Sequence, residues 1–96
     1  MVIGYCRVRL YLPENHSLKG KRQTLKSIID RVRGRYNVAI AEVEDQDLWQ
    51  AATLGISCVS SEERHANEVL SRVIETIRLA RAEAELLDYE FEFIHA

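Results

Sequence analysis

Only two of the 96 residues are cysteine, Cys6 and Cys58, and they lie far apart in the chain. So few thiols at such a distance exclude a disulfide framework. Both sit in apolar, strand-like runs, which predicts two buried thiols. No stretch approaches the roughly 18 apolar residues that a membrane-spanning helix needs, so no membrane partner is expected. The sequence shows no signal-peptide pattern, and free thiols suit a reducing compartment, so a cytoplasmic location is expected.

Catalytic and metal-binding patterns are missing as well. His16, His65 and His95 follow no C-x-x-C, H-x-x-x-H or H-E-x-x-H spacing, which argues against a zinc site. The acids Glu42, Glu44, Asp45 and Asp47 lack the glycine and terminal glutamate of a calcium loop. There is no G-x-S-x-G elbow, and the adjacency of His16 and Ser17 is not a base-oriented triad. A phosphate-binding P-loop would need glycine where Asn15 stands and a hydroxyl where Arg22 stands, so "HSLKGKRQ" at 16–23 is not one. No cofactor, no metal and no enzymatic activity are expected.

What is present is a segregated charge. Residues 1–36 carry a net +7 and residues 37–96 a net −9, which together give −2. Attraction of the whole chain to nucleic acid is not expected, but a local basic face is.

Hydrophobic patterning supplies the fold. Residues 2–12 alternate, with Gly4, Cys6, Val8, Leu10 and Leu12 on one side and Ile3, Tyr5, Arg7, Arg9 and Tyr11 on the other. That is a half-buried strand. "PEN" at 13–15 is a turn. A helix begins near Ser17 or Gly20 and runs to about Arg35, with a stripe of Leu25, Ile28, Ile29, Val32 and Tyr36. Gly34 is expected to help it stop. Residues 37–43 and 48–60 read as two strands of a hairpin, with "EDQD" as its connector. Ser60 and Glu63 fit a capping box at the start of a second helix, with Ser61 as the alternative cap. Arg78 and Arg81 fall towards that helix's C-terminal end. Residues 82–87 could extend the helix, and 88–95 alternate again as a fourth strand.

The order strand, helix, strand, strand, helix, strand predicts an α+β, ferredoxin-like βαββαβ domain over 1–96. Its four-stranded antiparallel sheet has two helices on one face and leaves the other open. A four-stranded α/β unit with a different strand order is the alternative.

The open face should then carry Tyr5, Arg7, Arg9 and Tyr11, with Trp49, Ala51, Thr53 and Ser57 from the third strand. A bulge near Gln50 would overturn the placement of Trp49. Arg7 and Arg9 are expected to pair across strands with Glu90 and Glu92. The RNP pattern of RNA-recognition domains is absent, so base stacking on the sheet itself is not expected. Tyr5, Arg7, Arg9, Tyr11, Asp47, Trp49 and Gln50 instead suit a protein interface, most simply with a second copy of the chain.

The start of the first helix holds a local conflict. Lys19, Lys21 and Arg22 oppose the helix dipole there, and Lys26, Arg31, Arg33 and Arg35 follow along the helix. A bound phosphate, or an acidic partner, would offset the conflict.

The stretch Ser17 to Ser60 resembles a small bacterial family called DUF503 or YlxP-like. Ser17, Leu18, Lys19, Lys21 and Arg22 match its first motif. Asn37, Val38, Ala41, Glu42 and Val43 match its second. Gln46, Asp47, Leu48, Trp49, Gln50, Ala52, Leu54 and Gly55 match its third. Gly20 departs from the acidic or polar residue more usual there. The resemblance implies a ferredoxin-like fold and a bacterial cytoplasmic protein. It also implies a neighbourhood of translation-initiation and ribosome-maturation genes, but no catalytic residues.

Two functional readings stay open. One is a non-enzymatic accessory module that contacts ribosomal RNA or a ribosomal protein through Lys19, Lys21, Arg22, Lys26, Arg31, Arg33 and Arg35. The other is a homodimeric protein-interaction domain that uses the open sheet face. A small-molecule regulatory domain is a third class that this fold can host.

Overall fold

A computed structural model describes residues 1–80 and 83–96. Its elements in chain order are β1 (Val2–Tyr11), α1 (Leu18–Arg35), β2 (Ala39–Glu44), β3 (Ala51–Ser60), α2 (Glu63–Arg78) and β4 (Glu85–His95). The four strands form one sheet in the order β2-β3-β1-β4, and every pairing is antiparallel. This is the ferredoxin-like α+β arrangement, with both helices on one face.

The covered face follows the alternation of the sequence. Cys6, Val8 and Leu10 of β1 and Leu54, Ile56 and Cys58 of β3 are buried against Leu25, Ile28 and Val32 of α1 and Leu70, Val73, Ile74 and Ile77 of α2. Burial of a side chain of this size stabilises by about 1.5–3 kcal/mol. Burial also pushes the Cys6 thiol up to about 12 and the Cys58 thiol upward, so both stay protonated in the core.

The helix boundaries refine the expectations. The Ser17 hydroxyl accepts from the Gly20 amide at 2.9 Å and caps α1. Gly34 does not end this helix. It lies inside the last turn, and no glycine takes a positive φ. The capping box on α2 is also corrected. The Ser60 hydroxyl accepts from Glu62 N, one residue too early. Glu62 is the N-cap and has no side-chain cap bond, while the Glu63 carboxylate lies 2.8 Å from His95 Nε2. Residues 85–87 belong to β4 rather than to an extension of α2. Arg81 and Ala82 lie outside the described residues.

The third strand starts later than its pattern suggests. Residues 45–50 form the hairpin connection, so Trp49 precedes β3 rather than lying in it. Asp45 takes φ 64 and turns the chain, a conformation that aspartate tolerates better than most residues. Two bulges modify the sheet edges, one at Val43 in β2 and one at Leu87 in β4.

Candidate functional site

The three sequence motifs meet at one end of the molecule, where the first turns of α1 pack under the β2–β3 hairpin. Lys21 is the centre of this meeting. Its side chain is 1% exposed. Its ammonium donates to three backbone carbonyls, Asp45 O at 2.8 Å, Gln46 O at 3.2 Å and Ala51 O at 3.1 Å. It also lies 2.9 Å from Glu42 Oε2, off the hydrogen-bonding direction. The three protons are thus used by the hairpin, and the carboxylate balances the charge. An ammonium buried without such partners would be strongly destabilising.

Lys21 therefore leaves the set of cations expected to meet phosphate. The conflict with the helix dipole at this position is answered from within, by Glu42 and the loop carbonyls. The sequence carried a signal for this. Lys21 falls four residues before Leu25 on the stripe Leu25, Ile28 and Val32, and all four are buried. Glu42 lies two residues after the buried Ile40, on the same side of β2. Each is a charge at a core position, and each neutralises the other.

A second set of bonds ties the turn after β1 to the same hairpin. Gln50 Nε2 donates to Pro13 O at 3.1 Å and Asn15 O at 3.2 Å, and the Leu12 amide donates to Gln50 O at 2.9 Å. The Asn15 carboxamide donates to Trp49 O and, at 2.7 Å, to Ser17 O. Its oxygen rests on Gly20, where an added Cβ would come within 2.3 Å of Asn15 Oδ1. Glycine at this position makes room for the Asn15 side chain.

The other cations of α1 divide by angle. At 3.6 residues per turn, Lys19, Arg22, Lys26 and Arg33 share one flank of the helix. Arg22, Lys26 and Arg33 line a groove of about 370 Å³ against Ile40, Ala41 and Glu42 of the edge strand β2. Lys26 pairs with Asp30 at 2.6 Å, and Arg33 donates to Ile40 O at 3.0 Å. Lys19 and Arg22 have no carboxylate partner among the described residues. Arg31 and Arg35 lie on the opposite flank.

The open face is built in rows by the strand register. Val59, Ile3 and Ile94 form an apolar row at the end near the chain termini. Ser57, Tyr5 and Glu92 come next, then Gly55, Arg7 and Glu90, then Thr53, Arg9 and Asp88. Arg7 reaches Glu90 at 2.8 Å and, across Gly55, Glu44 of β2 at 3.0 Å. Arg9 pairs with Asp88 at 3.7 Å rather than with Glu92, which accepts from the Tyr5 hydroxyl instead. Thr53 is on this side yet buried, and its hydroxyl donates to Asp45 Oδ2 at 2.9 Å. Two acids at the end of β2 and the start of the connection are therefore committed within the protein, Glu44 to Arg7 and Asp45 to Thr53.

One further place matters. Tyr11, Asn15, His16, Leu48, Trp49 and Gln50 line a cleft of about 440 Å³ at the hairpin end. Trp49 is 55% exposed and Leu48 51%. Asp47, expected beside Trp49 as a specific surface, is an exposed residue of the same loop. Among the described residues no three His, Cys, Asp or Glu side chains come together as metal ligands, and no helix is long and apolar enough to cross a membrane.

Fold and site together define a class, a small ferredoxin-like α+β domain with a braced hairpin and a basic helix flank. The chain belongs to the family described as protein of unknown function DUF503, whose model matches residues 3–91. It is 38% identical over 73 residues to the uncharacterized protein YlxP of Bacillus subtilis (strain 168), covering 76% of this chain and 79% of that one. Among solved structures it resembles the de novo designed protein LFR1 1 with ferredoxin fold, at TM-score 0.53 and 14% identity, covering 100% of this chain and 88% of that one. It also resembles SnoaB, a cofactor-independent oxygenase from Streptomyces nogalater, at TM-score 0.53 and 7% identity, covering 99% and 92%. A designed protein and an oxygenase share this fold, so the fold does not choose a function.

Proposed function

We propose that the chain is a non-enzymatic, cytoplasmic accessory module, acting as one domain, that contacts RNA of the ribosome through the outward flank of α1. The observation that carries this reading is the stripe Lys19, Arg22, Lys26 and Arg33 beside the β2 groove. With a rise of about 1.5 Å per residue, its ends lie roughly 21 Å apart. Asp30 and Glu42, the acids that line the groove, are already paired with Lys26 and Lys21. Arg31 and Arg35 on the far flank add to the field without joining the contact. Phosphate contacts of this kind release counterions, so binding weakens steeply with salt.

A salt titration with a single-stranded ribosomal RNA fragment tests this. Wild type is compared with the Lys19→Ala/Arg22→Ala variant. Loss of two contacts lowers the slope of log K against log salt by about 1.4. Superimposable curves would sink the reading.

A second reading, self-association through the open sheet face, is favoured by the apolar row in which half-buried Ile3 lies between exposed Val59 and Ile94. It predicts a dimer in sedimentation at micromolar concentration that Ile3→Glu dissociates. A wild-type monomer throughout that range removes it.

A further inference from the structure

We infer that the cleft at the hairpin end is a stacking site for an unpaired base of single-stranded RNA. The inference rests on the RNA reading above and gives it a second point of contact. Three cleft residues, Tyr11, His16 and Trp49, carry flat rings. A nucleobase is flat, apolar on its faces and polar at its edges, and it stacks on such rings largely irrespective of sequence. The volume of about 440 Å³ accommodates one ring system and the start of its sugar.

The lining is fixed before any ligand arrives. Gln50 is held by the Pro13 and Asn15 carbonyls, and Asn15 holds Trp49 O. Lys21 holds the carbonyls at both ends of the loop, Asp45 and Gln46 on one side and Ala51 on the other. A half-exposed indole on a loop braced in this way needs little further ordering to stack, which favours binding.

Charge sets the path of the backbone. His16 lines the cleft, Lys19 stands three residues on, and Arg22 follows on the same helix flank. On the other side, Glu85 of β4 is opposite Tyr11 in the strand register. Phosphates next to the stacked base are therefore led towards Lys19 and Arg22 and away from β4.

Trp49 is the only tryptophan, so its emission reports on the cleft. The intact protein is titrated with a labelled short single-stranded oligoadenylate and, separately, with adenosine monophosphate. The oligonucleotide is expected to quench Trp49. Trp49→Ala should weaken binding roughly tenfold without changing the salt slope, whereas Trp49→Phe should keep most of the affinity. Lys19→Ala/Arg22→Ala should lower the salt slope yet still show quenching at saturation. If Trp49→Ala binds like wild type and emission does not move, the cleft fails while the α1 contact stands. If the oligonucleotide does not bind, both fail. If the mononucleotide binds as tightly as the oligonucleotide, the ring belongs to a free nucleotide and the RNA assignment is overturned.

Discussion

Lys21 and Arg22 are neighbours in the chain and opposites in the fold. One helical step turns Lys21 under the hairpin, where its protons meet three carbonyls and Glu42 balances its charge. The same step turns Arg22 outward, to the rim of the β2 groove and without a carboxylate among the described residues. The inward side of the first turns of α1 uses charge to build the hairpin. The outward side leaves charge to solvent, where it is available to a ligand. A run of cations in a sequence is thus two resources, divided by helical phase.

The largest expected effect tests the inward half. Lys21→Met keeps the length of the side chain and removes the ammonium. Glu42 and three carbonyls are then left buried without their partner, a situation that costs about 3–5 kcal/mol. Urea unfolding should show that loss. Adding Glu42→Gln should recover part of it, because the stranded carboxylate is then gone. A loss below about 0.5 kcal/mol would place Lys21 with ordinary surface residues, and the contrast with Arg22 would collapse.

Why this contrast was hard to read in the sequence follows from the range of the interactions. Alternation placed Cys6, Val8 and Leu10 inside and Tyr5, Arg7, Arg9 and Tyr11 outside, because that pattern is local and repeats every second residue. Helical period likewise placed Leu25, Ile28 and Val32 in the core. Lys21 stands on that same stripe, but an apolar count passes over a lysine. Its partner Glu42 lies in another element, and only the packing of α1 beside β2 joins them. The start of β3 failed for a related reason. The connector 45–50 is held by a lysine side chain from α1 and not by a local Asn-Gly turn, so the alternation of 48–60 runs on through Trp49 without a visible stop. The Ser60–Glu63 pair failed the other way. The spacing was right for a cap, but Glu63 lies beside His95 at the end of β4, a partner that spacing cannot show.

A smaller effect sharpens the comparison at the residue just before Lys21. In Gly20→Ala two terms oppose each other. Alanine in a helix is favoured over glycine by about 0.8–1.0 kcal/mol. The new Cβ, however, falls within 2.3 Å of Asn15 Oδ1 and 3.1 Å of Ser17 Oγ. Displacing Asn15 gives up its bonds to Trp49 O and Ser17 O, at about 1 kcal/mol each. The expected net change is a loss of about 1 kcal/mol in urea unfolding, with a change in Trp49 emission that marks the released hairpin. A gain in stability with unchanged emission would show that Asn15 is not a brace.

The smallest effect belongs to Arg22 itself. Arg22→Ala removes a charge that opposes the helix dipole and has no carboxylate to lose, so it gains a few tenths of a kcal/mol from the dipole. It also gives up the contact of its methylene stem with the groove, which acts in the other direction. The sum should fall within about 0.5 kcal/mol of wild type, and unfolding curves should nearly coincide. That near-silence is informative when set beside the RNA titration. A residue that the fold does not need but that changes the salt dependence of binding is held there for a ligand. If Arg22→Ala instead unfolds like Lys21→Met, the outward flank is part of the scaffold, and the division by helical phase is wrong.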